Sequence, residues 1–312
     1  MTLAWVIGAG GLLGGALCRQ LRQQGTDLWQ PLERISWQSP DLPRQIQAAT
    51  QSFALAAARH SAWEIYWAAG VGTMSSQAPL LAPETNALRA FLSALCSASS
   101  IGHRNGRIGL SSSAGAIYAG SRDAVINENT QAAPLSDYGK VKLAQEKMLA
   151  DCLLCKLLAK VLISRFSTIY GPGQASAKRQ GLLTHIARCT MRNEKIQVYV
   201  PLDTVRDYIY ADDAASCMIE ALRASDDRKV VTRIIASERP TTIAEICATF
   251  RRIARRRPLI VTSSNSLSSL YSRAIQFESL ELPKLASGGS TSLAVGAARL
   301  LQAELRSYSC PQ

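Results

Sequence analysis

Residues 3–25 read LAWVIGAGGLLGGALCRQLRQQG, and this stretch changes character twice. Leu3 to Ile7 is a short apolar run with β-forming residues, Gly8, Gly11 and Gly14 follow at three-residue spacing, and Ala16 to Gln24 has helical spacing that stops at Gly25. Strand, tight turn and helix in that order are the opening of a dinucleotide-binding unit. The glycines let the backbone turn sharply and approach a pyrophosphate, and the free N–H groups and dipole at the helix start favour negative charge. Leu12 and Leu13 belong to the same turn and count with the three glycines as cofactor-binding positions. A plain strand-to-helix packing turn has the same spacing, so a second feature must decide.

That feature runs from Leu110 to Lys142 as LSSSAGAIY, a polar loop and then PLSDYGKVK. Tyr138 and Lys142 are four apart in a segment that starts like a helix after Pro134, so both project from one face. An ammonium beside a phenol favours the phenolate and draws its pKa, otherwise about 10, toward the range of a general base. Ser112 or Ser113, at the end of an apolar run, supplies a hydroxyl to polarise the same substrate oxygen.

Between these two stretches strand and helix alternate. A second strand is expected over Asp27 to Leu32, followed by the position that reads the cofactor ribose. There Glu33 suits a 2′-hydroxyl and NAD, whereas Arg34 suits a 2′-phosphate and NADP, so the choice between NAD and NADP stays open. Gln45 to His60 reads as a helix, and Trp63 to Ala69 as a buried strand whose end, Ala68, Ala69 and Gly70, makes a second cofactor contact. Glu84, Thr85 and Asn86 open a helix through Cys96, Arg107 to Ser111 begins the strand that delivers the serines, and Ala159 to Ser164 is a further strand. The alternation predicts an α/β chain: a Rossmann-type, doubly wound parallel sheet over residues 1–172 and a smaller α+β substrate lobe over 173–312, with segments near 205–237 returning to the first. In that lobe Gly181 to Arg192 reads as a helix, Lys195 to Val200 as a strand, and the Ser-rich run Thr262 to Ser272 as a loop.

With 47% hydrophobic residues the chain buries a sizeable core. No apolar run is long enough to cross a bilayer: the best, Leu153 to Ile163, is split by Lys156 and Lys160. Met1 to Gly15 lacks a basic start, which argues against a signal peptide and for a cytoplasmic protein. The eight cysteines are scattered apart from Cys152 and Cys155, and His60, His103 and His185 are dispersed, so reduced packing thiols and no metal site are expected. Net charge is +12, with +3 in residues 1–150 and +9 in 151–312, which suits an anionic ligand. Five arginines between Arg251 and Arg257 have no aromatic residues interleaved, so they read as a solvated helix face and not as a specific nucleic-acid site.

The segments GAGGLLG (8–14), WAAG (67–70), ETN (84–86), SSSAGAIY (111–118), YGKVK (138–142), RFSTIYGPG (165–173) and RDYIYADDAA (206–215) come in the order found in extended short-chain dehydrogenases/reductases. The chain resembles the NAD-dependent epimerase/dehydratase branch that acts on nucleotide sugars. The resemblance implies Tyr138 as general acid/base, Lys142 lowering its pKa and binding the ribose, and Ser113 holding the reacting oxygen. It also implies Asn86 beside the cofactor, and Ser112, Thr168 and Arg206 toward the substrate, Arg206 near its diphosphate. Dehydratases of the family carry a Thr-Asp-Glu run where this chain has Ser113, Ala114 and Gly115, so the pattern resembles an epimerase. The expected activity is UDP-hexose 4-epimerase-like, in a homodimer through the helices carrying Asn86 and Tyr138. Two alternatives stand beside it: an NAD(P)-dependent reductase of a keto-sugar or other carbonyl, and a non-catalytic dinucleotide-binding sensor with a basic docking surface.

Overall fold

Leu3, Trp5 and Ile7 alternate with Ala4 and Val6 along β1 (Thr2–Ile7), and all five are buried. A strand apolar on both faces belongs in a sheet covered by helices on each side. In the computed structural model, which describes residues 1–98, 101, 105–155, 159–173, 181–224, 228–255, 259–262, 274–280 and 291–309, β1 lies inside such a sheet. The chain continues through α1 (Leu12–Gln23), β2 (Asp27–Trp29), α2 (Leu42–Ala57), β3 (Ala62–Trp67), α3 (Ala78–Ser97), β4 (Gly106–Ser113), α4 (Ala114–Ile117), α5 (Asp137–Cys155) and β5 (Lys160–Phe166). Then come β6 (Thr168–Tyr170), α6 (Leu182–Arg192), β7 (Lys195–Val198), β8 (Val205–Tyr210), α7 (Ala211–Arg223), β9 (Val230–Ile235), β10 (Pro240–Thr242), α8 (Ile243–Ala254), β11 (Leu259–Thr262) and α9 (Leu293–Ser309). Residues 263–272, Arg256, Arg257, His103 and the side chain of Cys155, each given a reading above, lie outside the described residues.

The main sheet has the order β2-β1-β3-β4-β5-β9 and every pairing in it is parallel. On one face α2, α3 and α5 cover an aromatic core in which Trp5 meets Trp29, Phe53 and Phe91 edge-on or tilted, and Trp67 meets Phe91. On the other face α1 and α7 cover Ala4, Val6, Tyr66 and Leu162. The second lobe joins the three-stranded sheet β10-β8-β6 and the β11-β7 pair to α6, α8 and α9 around Tyr170, Ile186, Ile246, Phe250 and Leu300. From this lobe α7 returns to pack on α1, and β9 adds to the edge of the main sheet beside β5.

Boundaries shift by a few residues in several elements, α2 for instance running Leu42–Ala57 and not Gln45–His60, and two shifts have a clear physical cause. β2 ends at Trp29, three residues earlier, where Pro31 offers no N–H to a ladder. α3 begins at Ala78, because the Asp137 carboxylate of α5 accepts the Ala78 N–H at 3.0 Å and caps the helix from outside; the helix then runs on through Pro83. Long-range caps of this kind leave no local signal.

The β1–α1 turn depends on missing side chains. Gly8 has φ +92°, and a Cβ on it would lie 2.7 Å from the Ala69 amide nitrogen; a Cβ on Gly14 would collide with the Gly8 carbonyl, whereas one on Gly10 meets open space. Gly14→Ala is therefore expected to lose about 1–3 kcal/mol of stability in urea unfolding, and Gly10→Ala to stay within about 0.5 kcal/mol.

Candidate active site

α5 starts where it does because Gly139 rests on α4: a Cβ there would come 2.5 Å from the Ala116 carbonyl oxygen. Ser136 Oγ accepts the Gly139 N–H at 3.2 Å and steadies the first turn. Tyr138 then projects toward the segment after β3, where Gly72 bears no side chain. A Cβ on Gly72 would reach within 2.9 Å of the Tyr138 ring, so the ring lies against this backbone. One turn on, Lys142 Nζ stands 5.7 Å from the centre of the Tyr138 ring. Ser113, the last residue of β4, lies close enough to Tyr138 for its side chain to lower the phenol, and it accepts the Ala116 N–H at 3.3 Å. The three residues marked for catalysis are thus neighbours at the carboxyl edge of β3 and β4.

The glycine turn borders the same edge. The chain leaves β1 toward β2 on one side and returns as β3 on the other, which makes the crevice between the ends of β1 and β3 the topological switch point where open α/β sheets bind ligands. Ala68 donates its N–H to the Ile7 carbonyl at 2.9 Å across that crevice, so Gly8, Ala68 and Ala69 line one wall, with Gly70 exposed at its end. Gly11 caps α1, whose first turn carries no acidic residue to repel a phosphate. Bare backbone at Gly8, Gly11 and Gly14 and the free helix start fit a dinucleotide pyrophosphate. Leu13 serves differently: its side chain is buried between α1 and α7, Leu12 packs half-buried on the same cluster, and only their backbone belongs to the turn.

Other expected contacts fall elsewhere. Ser112 points to the opposite side of β4 from Ser113 and donates to Glu146 at 2.5 Å; Glu146 in turn receives Arg165 through both oxygens, and Arg165 also reaches the Tyr118 hydroxyl. Ser112 therefore anchors a buried ionic network. Asn86 is exposed on α3 and accepts from Arg89 at 2.7 Å. Glu33 and Arg34 are exposed beyond the end of β2 and favour neither NAD nor NADP. Thr168 is exposed at the start of β6, and Arg206 is half-buried on β8 opposite Thr241, with Asp212 paired to Arg19 and Asp213 to Thr291. Burial pushes the nearby Tyr208 phenol up to about 12 while the Arg206 charge opposes it. A cavity of about 60 Å³ between Tyr208, Asp213, Arg239 and Thr291 lies in this second lobe and is not lined by Ser113, Tyr138 or Lys142. Among the described residues no group of His, Cys, Asp and Glu could hold a metal ion, and no helix is long and apolar enough to cross a membrane.

The residue that sequence reasoning missed is Glu84. It lies on the buried stripe of α3 with Ala87, Leu88 and Phe91, and its Oε1 accepts Lys142 Nζ at 2.6 Å. Gln145 completes the triangle, accepting from Lys142 at 3.1 Å and donating to Glu84 at 3.3 Å. The other carboxylate oxygen, Oε2, is buried with no hydrogen-bond partner, and the carboxylate lies over Gly70, where a Cβ would come within 3.1 Å. An acid on an apolar helical stripe signals a buried cation elsewhere, and Lys142, buried on α5 beside Gln145, is that cation.

This pair changes the electrostatics expected of Tyr138. Burial raises the phenol above its ordinary 10, and Lys142 and Ser113 lower it less than burial and Glu84 raise it. Lys142 lowers the phenol as expected, but in the free protein desolvation outweighs it and the net direction is upward. Lys142 is raised above its ordinary 10.5, because Tyr138 and Glu84 together outweigh desolvation. A raised lysine contributes stability that is fully present below its unfolded value and is lost as pH climbs through the higher folded one. Glu84→Gln, which leaves a buried ammonium unpaired, should cost about 3–5 kcal/mol in urea unfolding at pH 6 and less at pH 9, where the unpaired lysine can shed its proton.

Three comparisons bear on this arrangement. The family model described as "NAD dependent epimerase/dehydratase family" matches residues 4–234. A dTDP-L-rhamnose 4-epimerase of Burkholderia thailandensis is 32% identical over 97 residues, 30% of this chain and 26% of that protein, so the match spans about a quarter of the relative's length. Among solved structures, MoeE5 in complex with UDP-glucose and NAD superposes with TM-score 0.78 at 20% identity over 99% of this chain and 100% of that one. UDP-glucose 4-epimerase of Thermotoga maritima with UDP-glucose superposes with TM-score 0.79 at 18% identity and the same coverage. With glycine turn, parallel sheet and family match in agreement, the chain belongs to the NAD-dependent epimerase/dehydratase family, enzymes of the extended short-chain dehydrogenase/reductase type.

Proposed function

We propose that the protein is a nucleotide-sugar epimerase of the UDP-hexose 4-epimerase kind, using NAD or NADP held by the β1–α1 turn. One observation carries the reading. Tyr138, Ser113 and Lys142 converge beside the crevice between β1 and β3, with the Tyr138 ring on the bare backbone of Gly72 and Lys142 5.7 Å from its centre. When bound, the nicotinamide accepts a hydride from a sugar carbon and returns it. Tyr138 takes the proton of the sugar hydroxyl as the carbon is oxidised and gives it back as the carbon is reduced, so the residue ends each cycle as it began. Ser113 holds the reacting oxygen against Tyr138, and Lys142 supplies the cation that favours the phenolate. With Ser113, Ala114 and Gly115 at the end of β4, this stretch offers no acid to expel water from the sugar, which favours epimerisation over dehydration. The names of the structural relatives, which include UDP-glucose and UDP-glucuronic acid complexes, support a nucleotide-sugar substrate.

In this reading residues 1–172, with the segments near 205–237 that return to them, hold the dinucleotide, and the remaining lobe holds the sugar nucleotide, with Thr168 and Arg206 toward it. The functional unit is a cytoplasmic homodimer through α3 and α5.

Purified protein supplied with a catalytic amount of NAD should interconvert UDP-glucose and UDP-galactose without net NADH, and Tyr138→Phe should lower turnover by about 10²–10⁴-fold. Stoichiometric cofactor consumption with a keto-sugar and no epimer formed would instead make it a reductase. Because Tyr138 stays a neutral phenol well past neutrality in the free protein, kcat/KM is expected to keep rising with pH from 7 to 9. A plateau reached by pH 7 in steady-state assays would contradict that placement of the proton.

A further inference from the structure

Four described cysteines, Cys18, Cys189, Cys217 and Cys247, are buried, and burial raises each thiol, Cys217 up to about 12. Such thiols are poor nucleophiles and act as packing groups. Cys96 and Cys152 differ from them in two ways: both are only partly buried, and they face each other. Cys96 is next to last in α3, Cys152 lies in the last turn of α5, and their sulfurs are 2.7 Å apart across the line where the two helices pack. The Cys96 sulfur that meets Cys152 comes from 56 residues away in the chain.

We propose that Cys96 and Cys152 are a thiol–disulfide modification site, an internal cross-link between α3 and α5 formed by reaction with a small-molecule disulfide such as glutathione disulfide. A separation of 2.7 Å is inside the contact distance of two sulfurs, and a disulfide of about 2.05 Å needs only a small further approach. In the first step one cysteine thiolate attacks a sulfur of the oxidant, forming a protein–glutathione mixed disulfide and expelling one glutathione thiolate. The second cysteine thiolate then attacks the protein sulfur of that mixed disulfide and expels the second glutathione. The two cysteines lose two electrons and two protons in all, and one glutathione disulfide becomes two glutathiones. With the second thiol already in contact, the mixed disulfide is resolved within the protein before it can accumulate. The link ties the helix that carries Glu84 to the helix that carries Tyr138 and Lys142, so it fixes the spacing of the two elements between which the buried ion pair is made.

The test uses the full chain. The protein is equilibrated with excess glutathione disulfide at pH 8, remaining thiols are blocked with N-ethylmaleimide under denaturing conditions, and unreduced proteolytic peptides are read by mass spectrometry. The expected result is one peptide pair joined through Cys96 and Cys152, lighter by two hydrogens than its reduced components, with no glutathione on either residue. In Cys96→Ser and Cys152→Ser the joined pair disappears and the surviving cysteine carries a stable glutathione adduct. Because mapping the unaltered protein decides the question by itself, poor folding of a variant does not rescue the idea. A link between Cys152 and Cys155, stable glutathione adducts on the unaltered protein at Cys96 or Cys152, or maleimide on both residues would each overturn it.

Discussion

A lysine ammonium and a glutamate carboxylate 2.6 Å apart, each side chain 5% exposed, join α5 to α3 beneath Tyr138. Neither charge is tolerable alone at that depth, since an unpaired buried ion costs several kcal/mol. The two helices must therefore meet with Lys142 opposite Glu84, and that requirement fixes the rotation of α5 and with it the direction of Tyr138. The same carboxylate opposes part of the lysine's effect on the phenol, which burial already raises. A residue type normally read as the activator of a tyrosine is here also a structural cation, and the proton affinity of Tyr138 reflects the balance between the two.

Around this pair the fold works mainly by leaving side chains out. Gly8 and Gly14 let the β1–α1 turn close on itself and on Ala69; Gly72 admits the Tyr138 ring; Gly139 lets α5 settle on α4. Each absent Cβ draws a different element toward one edge of the sheet, and that edge is the switch point between β1 and β3. Aromatic packing on the far side of the sheet, Trp5 with Trp29, Phe53 and Phe91, holds the strands whose ends these glycines shape. A second buried ionic group, Ser112, Glu146, Arg165 and Tyr118, braces α5 against β4 and β5 from below.

Much of this was legible in the sequence because it is local. The strand–turn–helix of residues 3–25, the four-residue spacing of Tyr138 and Lys142, and the apolar runs of β3 and β5 each carry their own signal over a few residues. What was not legible is long-range. The cap on α3 comes from Asp137, 59 residues away, so the helix start could not be placed from its own sequence. The inward residue of the ETN run is Glu84 rather than Asn86, because α3 is already a helix before that run and the buried stripe through Leu81, Glu84 and Leu88 decides which side chain turns inward. Ser112 and Ser113 are equivalent as sequence, and only the alternation of β4 assigns one to the ionic network and the other to Tyr138. The direction of the Tyr138 shift depends on burial and on an acid from another helix, neither of which spacing reveals.

We propose that the buried Tyr138–Lys142–Glu84 cluster faces a dinucleotide lying across the β1–α1 turn. A crystal structure of the protein with NAD bound tests it most directly. The pyrophosphate is expected over Gly11 at the start of α1 and the nicotinamide ring within contact of Tyr138 and Ser113, at the carboxyl ends of β3 and β4. A dinucleotide bound in the second lobe, or a nicotinamide ring separated from Tyr138 by intervening protein, would contradict it.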